Sequence, residues 1–352
     1  MGRVTRSHRS LWIALRVVAL LVVVYIAVQV VLSNSDELSG ATGYLDNAQW
    51  TWIGVALLAE ALSYLNFTLL QRRLLSAGGL RVGMTPLAAM SLAGSAITNA
   101  IPGGGAFATV FAYRQFRRQG ADEALTTWTI VAFTALTAVA LAVLAVAGLL
   151  IAGSDSGVAG LWLLVAGLIL LPAAGVAILL RPHLLKLLTT APIRQAKRLT
   201  GWPRRDAEAA IDQLVNRLAT VRPGVSDWGW GLLYAGGNWA ADCLCLIAAF
   251  QAVGAAVPWR GLLVAYGAAQ VVSNVPITPG GLGVVEGSLT VALVAFGGST
   301  EQTVAAVLLY RIISFWLILP LGLGAWLGLL FDARRHPDAH RVPSLPIEVS
   351  AV

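Results

Sequence analysis

The chain has 352 residues, of which 57% are hydrophobic and 12% charged, and its mean hydropathy is +0.76. Charge at about half the density of a soluble domain, crowded into a few short stretches, cannot cover a water-facing surface, so a cytosolic globule is excluded and a polytopic membrane protein remains. The net charge of +7 lies between apolar runs, where orientation signals and contacts to anionic lipid sit, and nucleic acid is not an expected partner.

A hydrocarbon core of roughly 30 Å needs about 20 apolar helical residues. Six stretches meet this length: 11–32, 50–70, 126–151, 159–180, 228–250 and 303–330. The first follows Arg3, Arg6 and Arg9 in the basic segment 1–10. It is too long for a signal peptide and has no small-residue cleavage site behind it, so it reads as a retained anchor. Two further apolar regions, 86–113 and 261–297, are broken by Asn99-Ala-Ile-Pro102-Gly103-Gly104-Gly105 and by Asn274-Val-Pro276-Ile-Thr-Pro279-Gly280-Gly281-Leu282-Gly283. Such runs interrupt the helical hydrogen-bond ladder, and unpaired backbone survives at membrane depth only against protein or a wet cavity.

Basic residues set the path. Linkers 33–49 and 152–158 contain no Lys or Arg, whereas Arg72, Arg73 and Arg81, then Arg114, Arg117 and Arg118, and nine basic residues between Arg181 and Arg222 mark cytoplasmic segments. Region 86–113 thus begins and ends beside cytoplasmic arginines and is expected to be a hairpin that re-enters from inside; region 261–297 is expected to re-enter from outside. Both termini, including the tail 331–352, are placed in the cytoplasm. Membrane half 1 (11–180) and membrane half 2 (228–330) are joined by the loop 181–227. There Asp206 can cap a helix carrying Ile211, Leu214, Val215 and Leu218 on one face, to lie on the inner leaflet or against a partner.

Shifting the chain by about 175 residues lays Leu87–Asn99 on Leu262–Asn274, and a shift of about 178 lays Gly120–Glu123 on Gly298–Glu301. Span, broken hairpin and span occur twice in opposite orientation, an inverted-topology repeat of the kind transporters use. The expected fold is all-α, with six transmembrane helices and two re-entrant helical hairpins.

Ionisable side chains at membrane depth cost about 2.5–3.5 kcal/mol each and are functional candidates. Four fall there: Glu60, Asp242, Glu286 and Arg311. Glu286 and Arg311 either form a permanent structural ion pair or separate so that Arg311 binds a lipid phosphate. Glu60 and Asp242, with Asn66 and Asn238, either line a headgroup path or make interhelical hydrogen bonds. Gly103, Gly104 and Gly105, and Gly280, Gly281 and Gly283, each precede an apolar arm, where helix-start amides could hold a phosphate or the glycines could serve turn geometry alone. Gly281-Leu-Gly283-Val-Val-Glu286 fails the dinucleotide fingerprint, no phosphate-binding loop with Lys-Ser/Thr occurs, and the four histidines lie at span ends. No cofactor, metal or catalytic residue is expected. Cys243 and Cys245, two apart on a helix, point to different sides and read as inert packing residues.

Asn274 and Pro276 through Pro279-Gly280-Gly281-Leu282-Gly283-Val-Val-Glu286, followed by Tyr310-Arg311, resemble the lysylphosphatidylglycerol synthase transmembrane region family, the flippase portion of bacterial multiple-peptide-resistance proteins; Asn99 with Pro102 to Gly105 is similar to its first-half motif. The resemblance covers about 11–330. It implies a lipid-translocating module in a bacterial inner membrane, with phospholipids or lipid-linked molecules as partners. Only about 20 polar residues follow 331, so the soluble transferase domain and aminoacyl-lipid synthesis are not expected. A homo-oligomer is left open. The rival readings are a small-solute or ion secondary transporter and a lipid-modifying enzyme such as a polyprenyl-phosphate phosphatase. Without a nucleotide site, the drive would come from the lipid gradient, the membrane potential or protons, with Glu286 and Asp242 as the carboxylates concerned.

Overall fold

A computed structural model describes residues 44, 47–153, 221, 223–273 and 278–335, which form helices and short connections without a strand. The expected spans 11–32 and 159–180, the basic segment 1–10, most of the loop 181–227 with its amphipathic helix, most of the tail 331–352 and Asn274 lie outside the described residues. The described part begins with α1 (Trp50–Ala77), followed by α2 (Met84–Ala100) and α3 (Gly104–Arg118), then α4 (Glu123–Ala152). It resumes with α5 (Val225–Ala252), α6 (Trp259–Ser273), a 3-10 turn (Pro279–Gly281), α7 (Val284–Ala295), α8 (Thr300–Arg311), a π turn (Ile312–Trp316) and α9 (Ile318–Arg335).

Four of these segments are long and apolar enough to cross a membrane: α1, α4, α5 and the run Thr300–Asp332 through α8, the π turn and α9. These correspond to the four expected spans that fall within the described residues. The arms of the two broken regions are shorter. With 17 and 15 residues in α2 and α3, and 15 and 12 in α6 and α7, each reaches about 18–26 Å at 1.5 Å per residue, less than a hydrocarbon core. Where the glycine runs predict breaks, the backbone does break. Gly103 caps α3 in the left-handed region at φ 66°, and Gly280 stands at φ 53° in the 3-10 turn.

The repeat is visible in the element boundaries. Trp50 and Val225, Ala77 and Ala252, and Met84 and Trp259 are each 175 residues apart. Helices α1 and α5 pack along their whole length as an antiparallel pair: Gln49 N–H donates to Ala252 O at one end, and Arg73 meets Asp227 at 2.8 Å at the other. Midway, Asn238 Nδ2 donates to Ser63 Oγ at 2.7 Å, and these two residues are themselves 175 apart. Residues equivalent by a two-fold touch each other only on its axis, so the pseudo-two-fold runs through this bond. The remaining contacts obey the same exchange: α2 packs on α9 as α6 packs on α4, and α2 on α3 as α6 on α7.

Each half contributes one apolar core. One gathers Leu70, Leu74, Leu87, Trp128 and Leu136 around the first hairpin, at the end of the bundle that carries Arg72, Arg73 and Arg114; the other gathers Phe250, Tyr266, Leu289 and Leu309 around the second, at the opposite end. Leucines 58, 233, 321 and 323 and Val143 stay exposed on the rim of the bundle, as a lipid-facing surface requires. The π turn was not legible as a motif, yet it has a cause. Pro320 offers no N–H and its ring crowds the carbonyl of Trp316, so the ladder resets with Leu317 N–H donating to Ile312 O at 2.9 Å.

Close helix contact at Gly322 gives a stability test. A Cβ there would lie 2.4 Å from Leu92 O and from Ala96 Cβ, whereas one at Gly324 would meet nothing within 4 Å. Gly322→Ala is expected to destabilise by about 1–3 kcal/mol and Gly324→Ala to be neutral or stabilising, measured as thermal midpoints of detergent-purified protein; equal midpoints would contradict the α2–α9 packing.

Candidate functional site

The two hairpin tips meet. A Cβ on Gly280 would come 3.1 Å from Asn99 Cα and 2.2 Å from the Phe315 ring, so the second tip lies flat against the end of α2 only because that residue is glycine. Gly104 is pressed in the same way, with a would-be Cβ 2.4 Å from Ile97 O. Prolines and glycines thus bring two helix breaks to one level, where their backbone polar groups can serve each other and the side chains around them.

Arg311, the last residue of α8, anchors this junction. Its Nε donates to Glu286 Oε1 at 2.6 Å, its Nη2 to Gly280 O at 3.1 Å, and its guanidinium lies 4.4 Å from the centre of the Phe315 ring. Glu286 uses its other oxygen, Oε2, to accept from Gly283 N–H at 2.7 Å, closing the first turn of α7. One carboxylate therefore caps a helix and neutralises a buried cation. The amide at the start of α7 is taken by the chain itself. The start of α3 carries no acidic residue, and Gly103, Gly104 and Gly105 face a cavity there.

A second cluster stands beside the first. Asp242, on α5, accepts from the hydroxyl of Tyr266, from Tyr310 Oη at 3.0 Å and from Gln270 Nε2 at 3.2 Å. Glu60 approaches from α1, its carboxyl facing that of Asp242. Both acids are more than nine-tenths withdrawn from solvent, and Glu60 Oε2 has no hydrogen-bond partner among the described residues. The antiparallel register that sets Ser63 against Asn238 places these two acids together about one turn away.

A cavity of about 750 Å³ connects these groups. Its deep end holds Glu60, Asp242, Gln270, Gly280, Tyr310 and Arg311; its walls follow α1 to Gln71, α2 from Met90 to Asn99, α3 to Phe116 and α4 from Thr129 to Leu141. It runs along the first hairpin toward the end of the bundle carrying Arg72 and Arg114. Toward the opposite end the carboxyl pair is backed by packed side chains, among them Ala56, Leu246, Ala249 and Tyr266. Beside the cavity, between α3 and α4, lies an apolar crevice of about 370 Å³ with Arg114 and Tyr113 at its side; Thr109 and Ile130 belong to both walls.

The protein families that share this sequence pattern are now informative. Residues 11–322 match the lysylphosphatidylglycerol synthase TM region family. The chain belongs to that family. A UPF0104 membrane protein of Methanothermobacter thermautotrophicus is 24% identical over 324 residues, spanning 86% of this chain and 92% of that protein. Another UPF0104 membrane protein of the same organism is 31% identical over 101 residues, 28% of this chain and 30% of that protein. This member of the lysylphosphatidylglycerol synthase TM region family is thus a multi-pass membrane protein.

Of the residues singled out in the sequence, Glu60, Asp242, Arg311, Asn99, Gly103, Gly104, Gly105 and Gly280 line the cavity, while Glu286, Gly281 and Gly283 stand behind Arg311 and do not. Asn66 donates to Leu62 O at 2.9 Å and faces Gly237 rather than the cavity. Cys243 and Cys245 are free and buried. Sequence reasoning missed Tyr266, Gln270 and Phe315 as partners of the charged groups; an aromatic or amide one helix away from an acid has no fixed spacing by which to be found.

The ion pair makes a thermodynamic prediction. Glu286→Gln and Arg311→Met are each expected to destabilise the detergent-purified protein, and the double variant by less than their sum, with a coupling of about 0.5–3 kcal/mol. Additive losses in chemical unfolding would show that the two side chains act independently.

Proposed function

We propose that the protein moves an amphiphilic molecule with a phosphate-bearing headgroup, a phospholipid or lipid-linked substrate, between the leaflets, without itself making or breaking covalent bonds. The observation that carries this reading is that the cavity holding the charged groups and an apolar crevice lie side by side, with Thr109 and Ile130 in the walls of both. A soluble ion needs the cavity alone; a lipid needs both, the crevice for an acyl chain that stays in the membrane while the headgroup descends.

Within this reading, the headgroup phosphate meets the positive end of the α3 dipole, where Gly103, Gly104 and Gly105 line the cavity, and the guanidinium of Arg311, a charge-assisted donor in a low-dielectric wall. Glu286 holds Arg311 until the phosphate arrives. The bundle then completes six spans with two hairpins that re-enter from opposite faces, in an inner membrane with both termini and the arginine-rich end in the cytoplasm.

Alternating access follows from the repeat. In this state the first half is open along its hairpin and the second is packed shut, although the same pseudo-two-fold relates them. Exchange of the two conformations turns an opening at one end into an opening at the other around an unmoved centre, the logic of inverted repeats.

The test is translocation of a fluorescent anionic phospholipid in vesicles containing the purified protein. Arg311→Ala is expected to slow it about tenfold or more, since a hydrogen bond to a charged group contributes on the order of 1.5–3 kcal/mol. Ile130→Trp, which fills the crevice, is expected to slow it several-fold. Unchanged lipid movement in both variants, with uptake of a soluble anion sensitive to Arg311, would turn the reading toward a solute transporter.

A further inference from the structure

Glu60 and Asp242 face each other from antiparallel helices at the deep end of the cavity, and their surroundings are uneven. Asp242 is supplied with three donors: the Tyr266 and Tyr310 hydroxyls and the Gln270 amide. Glu60, 6% exposed, has an oxygen, Oε2, without a hydrogen-bond partner among the described residues. Among the described residues, the ionisable groups around the pair can be named. Tyr64 stands on α1, Cys243 and Cys245 on α5, Tyr266 on α6, and Tyr310 and Arg311 on α8. Arg311 alone among them is a cation, and its charge is already engaged by Glu286 at 2.6 Å and by the Gly280 carbonyl. Among the described residues, two carboxyl groups thus oppose each other in a poorly solvated wall with no counter-cation of their own.

We propose that Glu60 and Asp242 form a proton-binding site, one proton held between the two carboxyls, that couples substrate movement to the proton gradient. The proton is taken from hydronium in the cavity, leaving water, and bonds to the oxygen of Glu60 that lacks a partner; it returns to water when the site faces the other side. A single proton removes the repulsion between the acids and completes their hydrogen bonding. The two sides of the site differ as a carrier requires, since the cavity leads to it from one end of the bundle and the packed second half closes it from the other.

Coupling rests on the translocation reading above. With both acids ionised, an anionic headgroup approaching Arg311 is repelled by the pair beside it; with the proton bound, that repulsion falls. Substrate phosphate and proton therefore enter together. Glu286, fixed between Gly283 and Arg311, is outside this step.

Two measurements test the site and the coupling separately. Infrared spectra of the purified wild type at neutral pH are expected to contain a carbonyl band of a protonated carboxylic acid that shifts in D2O and disappears in Glu60→Gln. A wild-type spectrum without such a band overturns the proton site, as does stabilisation of the wild type by sodium in place of it. In vesicles of phosphatidylcholine and fluorescent phosphatidylglycerol, a gradient of one pH unit is expected to drive the wild type to at most about tenfold asymmetry between leaflets for one proton per cycle. Glu60→Gln and Asp242→Asn should equilibrate the leaflets without asymmetry. Lipid movement in the wild type with no response to the gradient would overturn the coupling and leave the translocation reading standing; the infrared band in a protein that moves no lipid would do the reverse.

Discussion

Helices α1 and α5 run antiparallel through 28 residues each, and everything that distinguishes this membrane bundle depends on how they meet. Small residues let the backbones approach: Gly237 on α5 sits where a Cβ would come 2.7 Å from Asn66 of α1, and Gly231 where one would come 3.6 Å from Leu70. In lipid there is little hydrophobic gain from joining two apolar helices, so close packing and interhelical hydrogen bonds hold them. The bond from Asn238 to Ser63 supplies the second of these at the centre of the pair. Because those two residues are counterparts in the repeat, the same bond that joins the helices also fixes the axis of the halves.

From that axis the rest follows in layers. Each half extends its apolar core toward its own end of the bundle, and polar groups collect where the cores part: Ser63, Glu60, Asp242, Asn99 and Arg311. Charges there are tolerated because each has a defined neighbour. Arg311 is held in three ways, by a carboxylate, a carbonyl and the Phe315 ring. The π turn immediately after it belongs to the same arrangement, since it rotates the remainder of the span away from Arg311 and lets Phe315 lie under the guanidinium. Among the described residues at this junction, Glu60 is the charged group with an oxygen that lacks a hydrogen-bond partner.

Much of this was legible in the chain. The 175-residue repeat and the glycine breaks at 103–105 and 280–283 followed from spacing, and Glu286 and Arg311 stood out as intramembrane charges able to pair, because a helix break or an intramembrane charge is a local feature with a large energetic consequence. What escaped was the relation between elements. Glu60 and Asp242 were legible as parts of one polar stripe with Asn66 and Asn238, but that their carboxyls face each other depends on the register of two helices far apart in sequence. An inverted repeat does contain that register, since counterparts on the axis must touch; placing Ser63 on Asn238 would have brought the two acids together. No sequence pattern reveals which half is open. That asymmetry is a choice between two packings of similar sequence halves.

The most direct test of alternating halves uses counterpart positions on the two returning arms, Ala108 on α3, in the cavity wall, and Ser288 on α7. Single cysteines at each, with Cys243 and Cys245 replaced by alanine, would be probed in vesicles with a membrane-impermeant maleimide. A Thr109→Cys, Ile130→Cys cross-link that holds the first half in its present open arrangement is predicted to keep Ala108→Cys reactive from the arginine-rich face and to protect Ser288→Cys from the opposite face. Reactivity of Ser288→Cys that is indifferent to the cross-link would contradict the exchange of states.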